Sequence, residues 1–211
     1  MAKQERAVRT RSALIESAAV LFGREGYEVV PLSAISARAG VSNGALHFHF
    51  PSKAALATGV REEAARRFRR IVSSECPSPQ LGGALQALVD TSHALLQGLS
   101  GDVILRAGFD LGEGLEAAGR GEDLYECWHA WVDEAVVRSA RDGLLSDVAP
   151  RDLAATVVGA TVGFAAMGGH DVRWLSRITL TRFWALLLPR VASEQALRVM
   201  TASGRQAAEA V

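Results

Sequence analysis

Between Ser42 and His49 the chain sets Asn43, Gly44, Ala45, His47 and His49 on a short run of small and polar side chains. Hydroxyl, amide and imidazole groups at this density can bond phosphates and base edges, and the small residues allow close approach. Such groups need a rigid element to present them. The run Leu32 to Phe50, LSAISARAGVSNGALHFHF, predicts a helix, a turn at Gly40 and a second short helix. Glycine has no Cβ, so a left-handed turn costs little at Gly40. Ser42 is a good N-cap for the helix that follows. Leu32, Ile35, Ala39, Val41, Leu46 and Phe50 can close a small three-helix core and leave the polar residues outside. This is a helix-turn-helix pattern, suited to laying its second helix in the major groove of double-stranded DNA.

The formal net charge is zero, which by itself argues against a nucleic-acid binder. Its distribution argues the other way. Residues 1–70 hold twelve Lys and Arg against six Glu, a net of +6, and residues 71–211 hold eleven Arg against seventeen acids, a net of −6. A basic head on an acidic body fits a DNA-binding domain joined to a body that DNA repels; chance segregation of surface charge is the bland alternative. Hydrophobic residues make up 49% of the chain, enough for a buried core and against disorder. Strand-like alternation is nearly absent, so an all-α fold is expected. Cys76 and Cys127 make no disulfide framework or metal-ligand cluster, and no cofactor is expected. MAKQERAVRTR is followed by no apolar leader, and the stretch 154–169 is too short and too interrupted to span a bilayer. A cytoplasmic protein with no membrane partner is expected.

Along the chain, residues 1–9 read as a basic arm, and Thr10 or Ser12 caps a helix to about Gly23 with Leu14, Ala18, Leu21 and Phe22 on one face. After the helix-turn-helix, Ser52 caps a long helix to about Ser74, and Cys76-Pro77-Ser78-Pro79 breaks the chain. The domains expected are 1–51, which contacts DNA, and 52–211, in which 52–74 is the connecting helix. In the second domain one helix carries Leu85 to Leu99, 101–121 is a looser Gly-rich acidic segment, and a helix over about 123–143 carries Trp128. A helix rich in small residues follows over 152–168. The last long helix, about 172–191, places Leu180, Phe183, Trp184, Leu187, Leu188 and Val191 at i, i+3, i+4, i+7, i+8 and i+11.

The run from Thr10 to about Val60, with ALIESAAVLFGREGYEVVPLSAISARAGVSNGALHFHFPSKAALA at its heart, resembles the N-terminal domain of TetR-family transcriptional regulators. GALHFHFPSK, VILRAGFDLG and EDLYECWHAW further resemble the γ-butyrolactone-receptor branch, which represses antibiotic-biosynthesis and regulatory genes. The resemblance implies a homodimer on a pseudo-palindromic operator, released by a small apolar molecule of lactone, furan or polyketide-like type. The DNA-contacting set it implies is Ser33, Ser42, Asn43, Gly44, Ala45, His47, His49 and Lys53, the last matching a phosphate-contacting Lys of the family. The family commonly has Tyr at His47 and Lys at Asn43, so one donor is kept and one charge is lost. Trp128 matches a pocket-lining Trp, Thr161 is a candidate donor to the ligand, and Phe109 is expected near the entrance. Phe183, Trp184, Leu187 and Leu188 are expected at the dimer face; the same stripe could instead be internal core.

Two alternatives stand beside this reading. One is a pseudo-receptor that answers to antibiotics or other ligands. The other is an all-helical enzyme using His93, His129 or His170 as a base, which no nucleophile–base spacing, phosphate loop or metal motif supports.

Overall fold

The computed structural model describes residues 2–74, 82–111 and 122–205. Among these there are ten α-helices, one 3-10 turn and no strand: α1 Ala2–Glu25, α2 Leu32–Arg38, α3 Asn43–His49, α4 Lys53–Ser74, α5 Gly83–Gly101, α6 Val103–Asp110, α7 Leu124–Arg141, α8 Pro150–Gly168, the turn Val172–Leu175, α9 Arg177–Val191 and α10 Glu194–Leu197. No helix among the described residues is long and apolar enough to cross a membrane. The chain forms two compact units: Met1–Phe68 with Asp102–Leu124, and Arg69–Gly101 with Tyr125–Val211. α4 runs unbroken across the boundary at Phe68.

In the first unit, Leu14, Ile35, Leu46, Leu56 and Val60 are completely buried, which joins α1, α2, α3 and α4 around one core. Each such side chain contributes about 1.5–3 kcal/mol of burial. Two expectations change here. The first helix starts at Ala2, not at Thr10 or Ser12, so the predicted arm is helical. The segment read as loose contains α6: Asp102 caps it, its carboxylate accepting from the backbone N–H of Ile104 at 2.9 Å and of Leu105 at 3.1 Å. Asp102 also pairs with Arg67 of α4, whose Nε donates to Glu63 at 3.1 Å. α6 packs along α1 and closely on α4. A Cβ built on Gly108 would lie 2.1 Å from the Ala64 Cβ, so only glycine permits that approach. The remainder of the segment, 112–121, lies outside the described residues.

In the second unit α5 is the central helix. It is buried nearly all round, including Gln86, Asp90, Thr91, Ser92 and His93. Buried polar groups need partners inside the protein, and the chain after α10 supplies several of them. Gln86 Nε2 donates to the Thr201 carbonyl (3.1 Å) and accepts at Oε1 from the Thr201 N–H (2.8 Å). Asp90 accepts from the Arg205 backbone N–H and guanidinium at 2.7–2.8 Å. Pro150 takes the first position of α8, where its missing N–H costs nothing. The last long helix starts only at Arg177, because Asp171 caps a separate 3-10 turn before it and Ser176 caps α9.

Candidate nucleic-acid interface and ligand region

The turn that aims α3 is built as its residue types predict. Gly40 has φ +68°, in the left-handed region, and Ser42 Oγ accepts from the Ala45 N–H at 3.2 Å. A contact not foreseen fixes the angle between the two helices. Ser36, 3% exposed, donates from Oγ to the Ser33 carbonyl at 3.0 Å and bonds Asn43 Oδ1. Asn43 is thereby tied to α2 while its residue stays exposed. Ser33, Ser42, Gly44 and His47 are also exposed, and Ala45 and His49 are half-buried. Leu46 and Phe50 anchor the inner side, with Arg11 over the Phe50 ring at 5.1 Å.

Phe48 escaped the sequence reading. It is 82% exposed and meets His49 edge-on at 5.2 Å. The signal lay in the helical period: with Leu46 and Phe50 inside, position 48 must point outward. An aromatic ring there can meet thymine methyl groups in a major groove. Lys53 is held in place rather than free in solvent. Its Nζ donates to the Glu28 carbonyl at 2.9 Å and lies 4.7 Å over the Tyr27 ring.

In the second unit Trp128 is 1% exposed. Its Nε1 donates to Thr161 Oγ1 at 2.8 Å, and that hydroxyl donates to the Val157 carbonyl at 2.8 Å. Trp131 stacks on Trp128, with centroids 5.4 Å apart. The two candidate ligand residues are therefore bonded to each other. Phe109 belongs to the first unit, buried edge-on against Phe68. None of the three lines the cleft of about 420 Å³ beside Phe22 and Tyr27 or that of about 310 Å³ beside α5.

Two of the four residues expected at the dimer face are buried within the protomer. Trp184 is 0% exposed and donates from Nε1 to Ser92 Oγ at 2.9 Å, so it belongs to the protomer's own core, as does Leu188. Phe183 and Leu187 are half-buried, Phe183 edge-on to Phe164 at 5.9 Å. What α9 leaves outside is Ile178 and Leu186, 62% and 79% exposed, with Met167 of α8 and Trp174 also open. The three histidines weighed as bases lie apart in different settings. His93 donates from Nε2 to the Ala202 carbonyl at 3.0 Å, His129 pairs with Asp133 at 3.5 Å on the surface, and His170 is exposed. No group of three or more His, Cys, Asp or Glu able to hold a metal occurs among the described residues.

The model of the family described as bacterial regulatory proteins, tetR family, matches residues 14–60. Over almost its whole length the chain is 30% identical to the A-factor receptor protein of Streptomyces griseus, covering 97% of this chain and 72% of that one. The fold matches a crystal structure of a γ-butyrolactone receptor, an ArpA-like protein, with TM-score 0.76, 27% identity and coverage of 94% and 95% of the two chains. It also matches the TetR-family protein CprB of Streptomyces coelicolor in complex with its operator sequence, with TM-score 0.73, 27% identity and coverage of 92% and 94%. A relative this similar over this much of both chains shows that the protein belongs to the tetR family of bacterial regulatory proteins, among the relatives of the γ-butyrolactone receptors.

Proposed function

We propose that this chain is a ligand-released transcriptional repressor that binds a pseudo-palindromic operator as a homodimer in the cytoplasm and controls antibiotic or other secondary-metabolite genes. The observation that carries the reading is α3, a short capped helix with exposed polar side chains, on a segment of net charge +6. Residues 1–51 contact DNA through Ser33, Ser42, Asn43, Gly44, Ala45, His47 and His49, joined by Lys53 at the start of α4. Residues 52–211 receive a lactone or furan, with Trp128 and Thr161 at the ligand. The chemistry is binding linkage, with no covalent step. A ligand that prefers a dimer whose α3 helices are wrongly spaced draws the population off DNA. α4, one helix from Lys53 to Ser74, is the lever. A 100-fold loss of operator affinity needs about 2.7 kcal/mol of coupling.

The test is a mobility shift on DNA selected from a random pool, with and without a synthetic γ-butyrolactone. Selection of two-fold symmetric sites and their release by the lactone are expected. Release by an antibiotic alone identifies the pseudo-receptor, and failure to select any sequence rejects the regulator.

Dimerisation gives a separate prediction. Two-fold association demands a self-complementary face, and Ile178 and Leu186 leave the apolar one. Leu186→Arg should yield monomers in sedimentation at micromolar concentration with an unchanged melting curve. Trp184→Ala should lower the melting point of the protomer itself, because removing a buried Trp costs about 3–5 kcal/mol. Dimers of undiminished affinity in Leu186→Arg would reject this face.

A further inference from the structure

A cleft of about 310 Å³ runs between α5 and the start of α9, within the second unit and lined by neither Trp128 nor Thr161. Its floor is apolar: Leu96, Leu175 and Leu180 are 1%, 5% and 1% exposed. Gln97, Ser176 and Arg177 stand at its sides, and no carboxylate lines it among the described residues. Arg177 uses one donor, Nη2 to the Gly204 carbonyl at 2.8 Å, and makes no ion pair among the described residues. Asp90, which faces His93, is already committed to Arg205 and to Gln86 Nε2 at 2.7 Å. Burial pushes the His93 imidazole below the ordinary range, and the Arg177 charge pushes the same way, against the bond to Ala202 and the charge of Asp90.

We infer that this cleft is a binding site for a small amphipathic monocarboxylate, whose hydrocarbon part lies on Leu96, Leu175 and Leu180 and whose carboxylate is held by Arg177. A guanidinium that spends one N–H donor among the described residues suits a planar carboxylate, which it can grip with two parallel bonds. The volume falls near the lower end of small-molecule sites, about 300–1,000 Å³, which suits a short acyl chain and excludes a nucleotide. An amine of the same length would be repelled by Arg177. A neutral alcohol would keep the apolar contact and lose the charge-assisted bonds. Arg177 and His93 also hold the chain at Gly204 and Ala202, so an occupied cleft bears directly on the segment that fastens to α5.

The site is independent of the proposed operator function. Titration calorimetry on the full chain tests it, with octanoate, octan-1-ol and octylamine as probes. Octanoate should bind more tightly than the other two. Arg177→Gln should weaken it by about tenfold or more, the loss of a charge-assisted pair, and leave octan-1-ol unchanged. Gln97 is exposed, so Gln97→Trp can fill the cleft from its rim without disturbing the core, and it should abolish octanoate binding while Arg177 remains. That variant decides the matter if Arg177→Gln does not fold. Octanoate binding that neither variant alters, octan-1-ol binding as tightly as octanoate, or no heat at millimolar octanoate would each overturn the assignment. Operator binding, read on the same preparations, reports separately on the DNA function.

Discussion

Operator binding should weaken about 10³–10⁵-fold between 50 and 200 mM salt if the dimer neutralises about 6–10 phosphates, because each neutralised phosphate releases condensed counterions. The basic charge of residues 1–70 is the source of that slope. The double variant Lys53→Ala/His47→Ala should bind every sequence more weakly and flatten the salt slope by about one unit for each phosphate left without its cation. Lys53 makes this a sharp test. It is bonded to the Glu28 carbonyl and stacked over Tyr27, so a purely structural lysine would alter the melting point and leave the slope alone. Asn43→Ala and Phe48→Ala should behave differently from the double variant. Asn43 is tied to Ser36 and Phe48 is open to solvent. Changing either should alter which bases are preferred, with a cost of about 1–3 kcal/mol at the affected position. Undiminished operator affinity and an unchanged salt slope in the double variant would remove α3 and Lys53 from the interface.

What could be read in the sequence was what short-range chemistry decides. Gly40 and Ser42 announce a left-handed turn and an N-cap within three residues, and both are found where the residue types put them. α6 was hidden by composition. Gly101 before it and the Gly-rich run after it look like loop, and the cap that starts it is a single Asp102 whose second partner, Arg67, is 35 residues away. The helical start at Ala2 was hidden because Val8, 61% exposed, gives the first turns no apolar stripe to betray them. The stripe on α9 shows the limit most clearly. Spacings of i, i+3, i+4 identify Trp184 and Leu188 as buried, but the pattern is the same whether the cover is a second copy or the chain's own α5. In the protomer Trp184 bonds Ser92 of α5, 92 residues away. The outward face, Ile178 and Leu186, is then found by elimination in three dimensions, which periodicity cannot do.

Trp128→Ala should cost the fold about 3–5 kcal/mol, the price of emptying a large buried site, so it cannot by itself reveal a pocket. The bond from Trp128 Nε1 to Thr161 Oγ1 offers a finer probe. Trp128→Phe keeps most of the ring and removes the donor; Thr161 still donates to the Val157 carbonyl, so the loss should be modest, about 0.5–1.5 kcal/mol for the bond plus some packing. Thr161→Val strands a buried indole N–H and should cost about 1–3 kcal/mol. The double variant should cost less than the sum of the two, since no buried group is then left facing a missing partner. Thermal or urea unfolding of the four proteins measures that coupling. The functional arm uses the same variants on operator DNA. Residues 1–60 are unaltered, so Trp128→Phe should bind operator with wild-type affinity while needing more lactone for release. Full coupling in stability with an unchanged release curve would mark Trp128 and Thr161 as a structural pair and move the ligand elsewhere. A shifted release curve in Trp128→Phe would place the indole at the ligand, where occupancy must trade the Thr161 bond for one of its own.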